Sequence, residues 1–137
     1  MSDLSSILHV EDDPDIQAVA SLALESLGDY KVETCSNGHL AIERVRTGPA
    51  PQLILLDIMM PGLDGLSTLA AIRTLPGGDS IPVVFVTAKV QKHEIEEYKS
   101  WGAAGVICKP FDAMTLASTV QNLWDEWKTT RQGTKLA

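Results

Sequence analysis

The sequence predicts an α/β protein in which an open, doubly wound parallel sheet is covered by helices on both faces. Two observations support this fold class: short aliphatic strands alternate with helical patterns five times, and central strands such as "LILL" and "PVVFV" are almost continuously apolar. Eight such units would be needed to close a barrel, so five imply an open five-stranded sheet. The expected strand order is 2-1-3-4-5, the flavodoxin-like arrangement.

The first unit joins the strand "SSILHV" to an amphipathic helix that ends at Gly28. Asp13 is the expected N-cap of this helix, and Pro14 is expected as its first residue. Four further strands are expected at "YKVETC", "QLILLD", "IPVVFVTA" and "AGVICK". The helices that follow these strands are expected at about 38–46, 66–75 and 92–101, and from near Asp112 onward.

The length of 137 residues suits one domain, and an apolar content of 45% is enough to bury a full core. Residues 1–128 are assigned to this domain, and residues 129–137 to a disordered tail whose end resembles a cloning remnant. No apolar stretch approaches the roughly 18 to 20 residues of a membrane span, and the first residues lack a signal-peptide pattern. We therefore expect no membrane insertion and a cytoplasmic location.

Charge and cysteine content narrow the function classes further. The formal net charge of −7 argues against nucleic acid as a direct partner, because phosphate-binding surfaces need clustered Lys and Arg. Cys35 and Cys108 lie far apart, without Cys or His at metal-ligand spacing nearby. They are expected to be reduced thiols, which agrees with a cytoplasmic protein.

Reactive side chains stand where four of the five predicted strands end. Glu11 and Asp12 follow the first strand, Asp57 ends the third, Thr87 the fourth and Lys109 the fifth. In open α/β sheets the functional site lies at the carboxyl ends of the strands, beside the point where strand order reverses. The sequence therefore predicts that these side chains form one site next to strands 1 and 3.

The residue types at this site indicate phosphoryl chemistry. Three carboxylates in a partly desolvated cleft repel one another unless a divalent cation neutralises them, and ligands limited to oxygen favour Mg²⁺. The Lys109 ammonium and the Thr87 hydroxyl suit the oxygens of a phosphoryl group. Asp57 would then be the nucleophile, since carboxylates form aspartyl phosphates.

The motifs "VEDDPDI" at 10–16, "LLDIMMPGLDG" at 55–65, "VTA" at 86–88 and "GVICKPF" at 105–111 resemble the receiver domain of two-component response regulators, of the CheY-like, single-domain type. The resemblance covers about residues 5–128. It implies that Asp57 accepts a phosphoryl group and ligates Mg²⁺ together with Asp12.

The resemblance also implies roles for the other site residues. Glu11 would act on the metal through water, and the backbone carbonyl of Met59 would be a further ligand. Thr87 and Lys109 would bind the phosphoryl oxygens, with a cis peptide bond between Lys109 and Pro110. The protein would assist its own phosphorylation and dephosphorylation without being an enzyme in the usual sense.

By the same resemblance, the phosphoryl donor would be a histidine kinase or a histidine phosphotransfer protein. The signal would be read by a separate, unidentified protein target or passed onward in a relay. The fourth helix, fifth strand and fifth helix would form the contact face, and a homodimer through that face is an expectation of the family.

Two features depart from the family pattern. Receivers commonly carry Tyr or Phe three residues before the lysine, whereas this chain has Val106, so its switching must use other groups. Our hypothesis is that the fourth helix, with Ile95, Tyr98 and Trp101, repacks against the fifth strand and fifth helix when Thr87 shifts. Met59 and Lys89, which flank the expected path of hydrolytic water, are poorly suited to orient it. Slow self-dephosphorylation is therefore expected.

Two other functions fit parts of the pattern. The first is a phosphatase of the haloacid-dehalogenase type with Asp57 as nucleophile, although that family has an acid at the position of Met59. The second is an interaction module of receiver fold that works without phosphorylation, which Val106 allows but the intact acidic and lysine set disfavours. A nucleotide-binding switch lacks its phosphate-binding glycine motif in this sequence.

Overall fold

The computed structural model of the chain describes the backbone of residues 3–136 and the side chains of residues 3–130. Five strands alternate with five helices, and the predicted α/β class is confirmed. The strands are β1 Ser6–Val10, β2 Lys31–Cys35, β3 Leu53–Asp57, β4 Val83–Thr87 and β5 Gly105–Cys108. The helices are α1 Pro14–Gly28, α2 Gly38–Thr47, α3 Gly65–Arg73, α4 Lys92–Ser100 and α5 Leu116–Leu136, and a short 3₁₀ turn lies at Gly78–Ser80.

All strand pairs are parallel, and the strand order is β2-β1-β3-β4-β5, as predicted. The order reverses between β1 and β3, which lie next to each other although β2 follows β1 in the chain. Asp57 pairs in register with Val86 on β4, and Val86 pairs with Ile107 on β5. The ends of β3, β4 and β5 are therefore level, and the residues that terminate them share one edge of the sheet.

Side chains of the central strands point alternately to the two faces of the sheet. Both faces are buried, because helices pack against each of them. In β3, Leu53 and Leu55 contribute to the core under α1 and α5, whereas Ile54 and Leu56 contribute to the core under α2, α3 and α4. All five residues of β3 are buried. A strand held on both faces gives its last residue, Asp57, a rigid position.

The helix ends follow the sequence in most cases. Asp13 caps α1 by accepting hydrogen bonds from the backbone amides of Asp15 and Ile16, with Pro14 as the first helical residue, as predicted. The start of α5 near Asp112 was wrong by about one turn. The Asp112 side chain accepts a hydrogen bond from the amide of Met114 and so stabilises a turn, and the helix begins at Leu116.

The C-terminal segment is helical along its backbone, and its assignment to a tail outside the domain stays a prediction. Helix α5 continues through residues 129–136, and Ala137 lies outside the described residues. The segment contains no proline, so it can extend a helix already packed on the core through Val120 and Trp124. Within residues 3–136, no helix combines the length and the apolar character needed to cross a membrane.

Candidate functional site

Glu11 and Asp12 follow the last residue of β1. Glu11 is buried at the edge of the sheet, and Asp12 lies at the surface. The Glu11 amide donates to the carbonyl of Cys35 at 3.0 Å, and the Gln17 side chain donates to the Glu11 carbonyl at 2.5 Å. One carboxylate oxygen of Glu11 accepts from the amide of Asp13 at 3.1 Å. Glu11 is only 1% exposed. Its carboxylate is thus fixed inside the cleft, whereas that of Asp12 faces solvent.

Asp57 is held in place by the tight turn that follows β3. The Gly65 amide donates to the Ile58 carbonyl at 2.9 Å, and a Cβ atom at position 65 would lie 2.4 Å from the Asp57 carbonyl oxygen. Only glycine fits this approach of α3 to the strand end. Gly62 supports the same turn with a φ of 77°, a left-handed conformation that other residues rarely adopt. The "MPGLDG" segment therefore sets the position of Asp57.

The structure brings the three predicted carboxylates together. Carboxylate oxygens of Glu11, Asp12 and Asp57 lie within 4.8 Å of one another. Lys109 reaches into the same cluster: its Nζ atom is 2.7 Å from Oε1 of Glu11 and 3.3 Å from Oδ2 of Asp57. The ammonium thus bridges the two buried carboxylates and leaves Asp12 at the open side.

The lysine does not fully compensate the buried charge on Asp57. Burial and the nearby Glu11 carboxylate raise the pKa of Asp57 from 3.8 to about 6, against the opposing effects of Lys109 and the Met59 backbone amide. Its Oδ1 atom is buried and has no hydrogen-bond partner among the described residues. A carboxylate oxygen left without a donor inside a cleft is suited to a cation or an incoming electrophile.

Thr87 lies at the end of β4 and is 1% exposed. Its hydroxyl oxygen accepts a hydrogen bond from the amide of Lys89 at 3.1 Å, so its proton remains available for donation. The Lys109 amide donates to the Thr87 carbonyl at 2.9 Å, and the Lys109–Pro110 peptide bond is cis, as predicted. Thr87 and Lys109 are therefore fixed to each other at the same sheet edge as Asp57.

The other residues named from the sequence take less central positions. Met59 lies two residues after Asp57 in the chain, and 60% of its surface is exposed. Lys89 is also exposed. Val106 is half-buried on β5. The metal-binding role of the Met59 carbonyl stays a prediction.

Sequence reasoning did not anticipate two neighbours of the site. His9 is 1% exposed, and burial together with the Lys109 charge lowers its pKa to about 4, so the ring is neutral. The sequence indicated only a packing or surface role for this histidine, and its burial follows from the position of β1, whose last four residues are all buried. Gln17, one turn into α1, fixes the Glu11 backbone, and no sequence pattern identified it.

With this geometry established, comparison with known proteins decides the family. Residues 7–121 match the response regulator receiver domain family. The chain belongs to this family. Response regulator Rre1 of Synechocystis is 35% identical over 124 residues, which cover 90% of this chain and 53% of Rre1. The chain spans about half the length of the first curated relatives that it matches.

Solved structures agree with the observed receiver fold. The chemotaxis protein CheY4 of Vibrio cholerae is 28% identical, with a TM-score of 0.79 over 88% of this chain and 98% of that one. The receiver domain of the sensor histidine kinase PA1611 from Pseudomonas aeruginosa is 30% identical, with a TM-score of 0.77 over 89% of this chain and 98% of that one. In that structure a magnesium ion is coordinated in the active-site cleft.

Proposed function

We propose that this receiver is a Mg²⁺-dependent phosphoacceptor of a two-component phosphorelay and that Asp57 receives the phosphoryl group. The observation that carries the proposal is the state of the Asp57 carboxylate. It is buried, its Oδ1 atom has no partner among the described residues, and its Oδ2 atom faces the Lys109 ammonium at 3.3 Å. A nucleophile and a positive charge for the transferred group are thus side by side.

The acidic cluster fits a magnesium ion. Three carboxylates with oxygens within 4.8 Å of one another match the preference of Mg²⁺ for one or two carboxylates plus water and phosphate oxygens. Asp12 and Asp57 would hold the ion directly, Glu11 through water, and Met59 through its backbone carbonyl. When bound, Mg²⁺ would neutralise both the cluster and the phosphoryl oxygens.

The protein's own residues account for the transfer step. An ionised oxygen of Asp57 forms a bond to phosphorus as the phosphorus–nitrogen bond of a phosphohistidine breaks. The electron pair of that bond returns to the imidazole, which leaves as a neutral ring when its other nitrogen carries a proton. Lys109 and Thr87 bind the phosphoryl oxygens and hold the group in line.

We propose a histidine kinase or a histidine phosphotransfer protein as the donor, because such proteins are the partners of the receiver domain family to which the chain belongs. The phosphorylated chain would act on a separate protein or pass the group onward. Contact through α4, β5 and α5 is part of the proposal: Trp101, which ends α4, and Met114, just before α5, are exposed apolar side chains. A homodimer would use the same face. The free thiols of Cys35 and Cys108 support a cytoplasmic location.

The test is to find the phosphorylated residue. The protein is incubated with acetyl phosphate and Mg²⁺, any acyl phosphate is reduced with borohydride, and the peptides are mapped by mass spectrometry. The modified residue should be Asp57. Modification at another residue would contradict the assignment, and no modification would favour an interaction module that works without phosphorylation.

Two neighbouring carboxylates supply a matched pair for the metal. Asp12→Asn should raise the Mg²⁺ concentration needed for labelling by at least tenfold, because it replaces a charged carboxylate of the cluster with a neutral amide. Asp13→Asn should leave the dependence unchanged, since Asp13 caps α1 and asparagine caps equally well. Equal effects of the two substitutions would place the metal elsewhere.

A further inference from the structure

Tyr98 is the one buried residue of α4. Only 4% of its surface is exposed, and its ring packs edge-on against Phe85 of β4, with 5.6 Å between ring centroids and 65° between ring planes. The rest of α4 is half-buried or exposed. The contact between α4 and the sheet therefore depends largely on this one side chain.

The Tyr98 hydroxyl connects α4 to the loop that follows β4. It donates to the Lys89 carbonyl at 3.0 Å. The amide of the same residue, Lys89, donates to the Thr87 hydroxyl oxygen at 3.1 Å. Two hydrogen bonds through Lys89 thus join Tyr98 to the threonine that faces the phosphoryl site.

The hydroxyl remains a donor at physiological pH. Burial raises the pKa of Tyr98, and the interaction of its hydroxyl with the Thr87 side chain only opposes that rise. Because the hydrogen bonds of Tyr98 and Thr87 meet at Lys89, a displacement of Thr87 would reach Tyr98 through that residue.

The adjacent strand offers no alternative connection. The residues of β5 are Gly105, Val106, Ile107 and Cys108, which carry neither a hydroxyl nor an aromatic ring. Val106 is half-buried beside the same apolar core that contains Tyr98. Unlike the residues of β5, Tyr98 therefore has both a hydrogen-bonded connection to Thr87 through Lys89 and an aromatic ring packed on β4.

We propose that Tyr98 is a positioning residue for phosphoryl binding and the element that transmits phosphorylation from Thr87 to α4. Its hydroxyl holds the Lys89 carbonyl and so sets the direction of the Thr87 hydroxyl toward Asp57. When Thr87 donates to a phosphoryl oxygen, the Lys89 segment shifts, and the Tyr98 ring moves α4 with it. This inference rests on the proposed phosphorylation of Asp57.

The chain contains a built-in control for this proposal, because it has two tyrosines, Tyr30 and Tyr98. Tyr30 is also buried, and its hydroxyl donates to the Gln121 side chain at 2.5 Å, between α1 and α5 and away from the cluster. Protein labelled with 3-fluorotyrosine gives one fluorine signal per tyrosine. A Tyr30→Phe variant assigns the two signals.

Acetyl phosphate and Mg²⁺ are added to the labelled protein, and intact mass is measured on the same sample. With phosphorylation established by mass, the Tyr98 signal should shift and the Tyr30 signal should stay. An unchanged Tyr98 signal in phosphorylated protein overturns the inference while leaving the proposed function intact. Absence of any mass increase overturns the proposed function and the inference with it.

A substitution pair separates positioning from stability. Tyr98→Phe and Tyr30→Phe each remove one buried hydroxyl and keep the ring, so both should fold. Phosphorylation changes the NMR chemical shifts of the α4 amides in the native chain. We expect these changes to be at most half as large in Tyr98→Phe and as large as in the native chain in Tyr30→Phe. Full α4 shifts in both variants would show that Tyr98 only stabilises the helix.

Discussion

The Nζ atom of Lys109 lies 2.7 Å from Oε1 of Glu11, a closer contact than its 3.3 Å approach to Asp57. The lysine is therefore bound mainly to the acid that is not the proposed phosphoacceptor. This leaves Asp57 partly uncompensated, which agrees with its raised pKa. The ammonium is held ready beside the position that a phosphoryl group would occupy.

Replacing this lysine should destabilise the metal-free protein. Lys109→Met leaves Glu11 and Asp57 buried without a counter-charge, and we expect a loss of roughly 1 to 3 kcal/mol in the free energy of unfolding at pH 7, moderated by partial solvent access to the pair. Urea denaturation in the presence of a chelator measures it. Arg46→Met, which breaks the exposed pair with Glu43, should change little. Similar losses in both variants would contradict the buried role of Lys109.

The raised pKa of Asp57 predicts a specific dependence of stability on pH. Because its folded pKa of about 6 exceeds the ordinary 3.8, the folded state binds the proton more tightly than the unfolded state, and metal-free stability falls as pH rises between these values. Asp57→Asn removes this loss. The variant should be more stable than the native chain by roughly 1 to 3 kcal/mol at pH 7 and no more stable below pH 4.

Thermal or urea unfolding at a series of pH values, without Mg²⁺, checks this dependence. Addition of Mg²⁺ at pH 7 should stabilise the native chain and leave Asp57→Asn nearly unchanged, since metal that binds only the folded state shifts unfolding by mass action. If the difference in stability between the native chain and Asp57→Asn did not vary with pH, burial would not raise the pKa of Asp57.

The fold could be predicted from the sequence because strand and helix patterns are local. Parts of the site could not be predicted, because side-chain contacts depend on how these elements pack. Periodicity located β3 and its terminal Asp57, and the strand-order rule placed the carboxyl ends together. The preference of Lys109 for Glu11 could not be read from the sequence, since it depends on side-chain directions across the sheet. The sequence suggested that Tyr98 packs between the fourth helix and the sheet, but its hydrogen bond to the Lys89 carbonyl depends on the path of the loop and appeared only in the structure.

Gly65 should be required for both folding and phosphorylation. A Cβ atom there would lie 2.4 Å from the Asp57 carbonyl oxygen, so Gly65→Ala must displace either α3 or the end of β3. We expect a loss of roughly 1 to 3 kcal/mol in stability and slower labelling by acetyl phosphate. At Gly48 the added methyl group meets mainly the flexible end of Arg44, so Gly48→Ala should leave labelling unchanged. Unaltered labelling in Gly65→Ala would refute the positional role.

The lifetime of the phosphorylated state should depend on Met59. Its thioether, two residues after Asp57, cannot orient water well, whereas an amide can donate and accept hydrogen bonds. Met59→Asn should therefore lose the phosphoryl group several-fold faster than the native chain, as followed by mass after removal of acetyl phosphate. Met114→Asn, at another highly exposed methionine, is the matched control and should have the native lifetime. Equal lifetimes in all three proteins would remove Met59 from the account.

Phosphorylation of Asp57 is measured by intact mass after incubation with acetyl phosphate and Mg²⁺, beside an Asp57→Asn variant and a sample with chelator. We expect one added phosphoryl group in the native chain and none in either control. Addition that persists in Asp57→Asn or without metal would contradict this expectation, as would no addition under conditions that label another receiver.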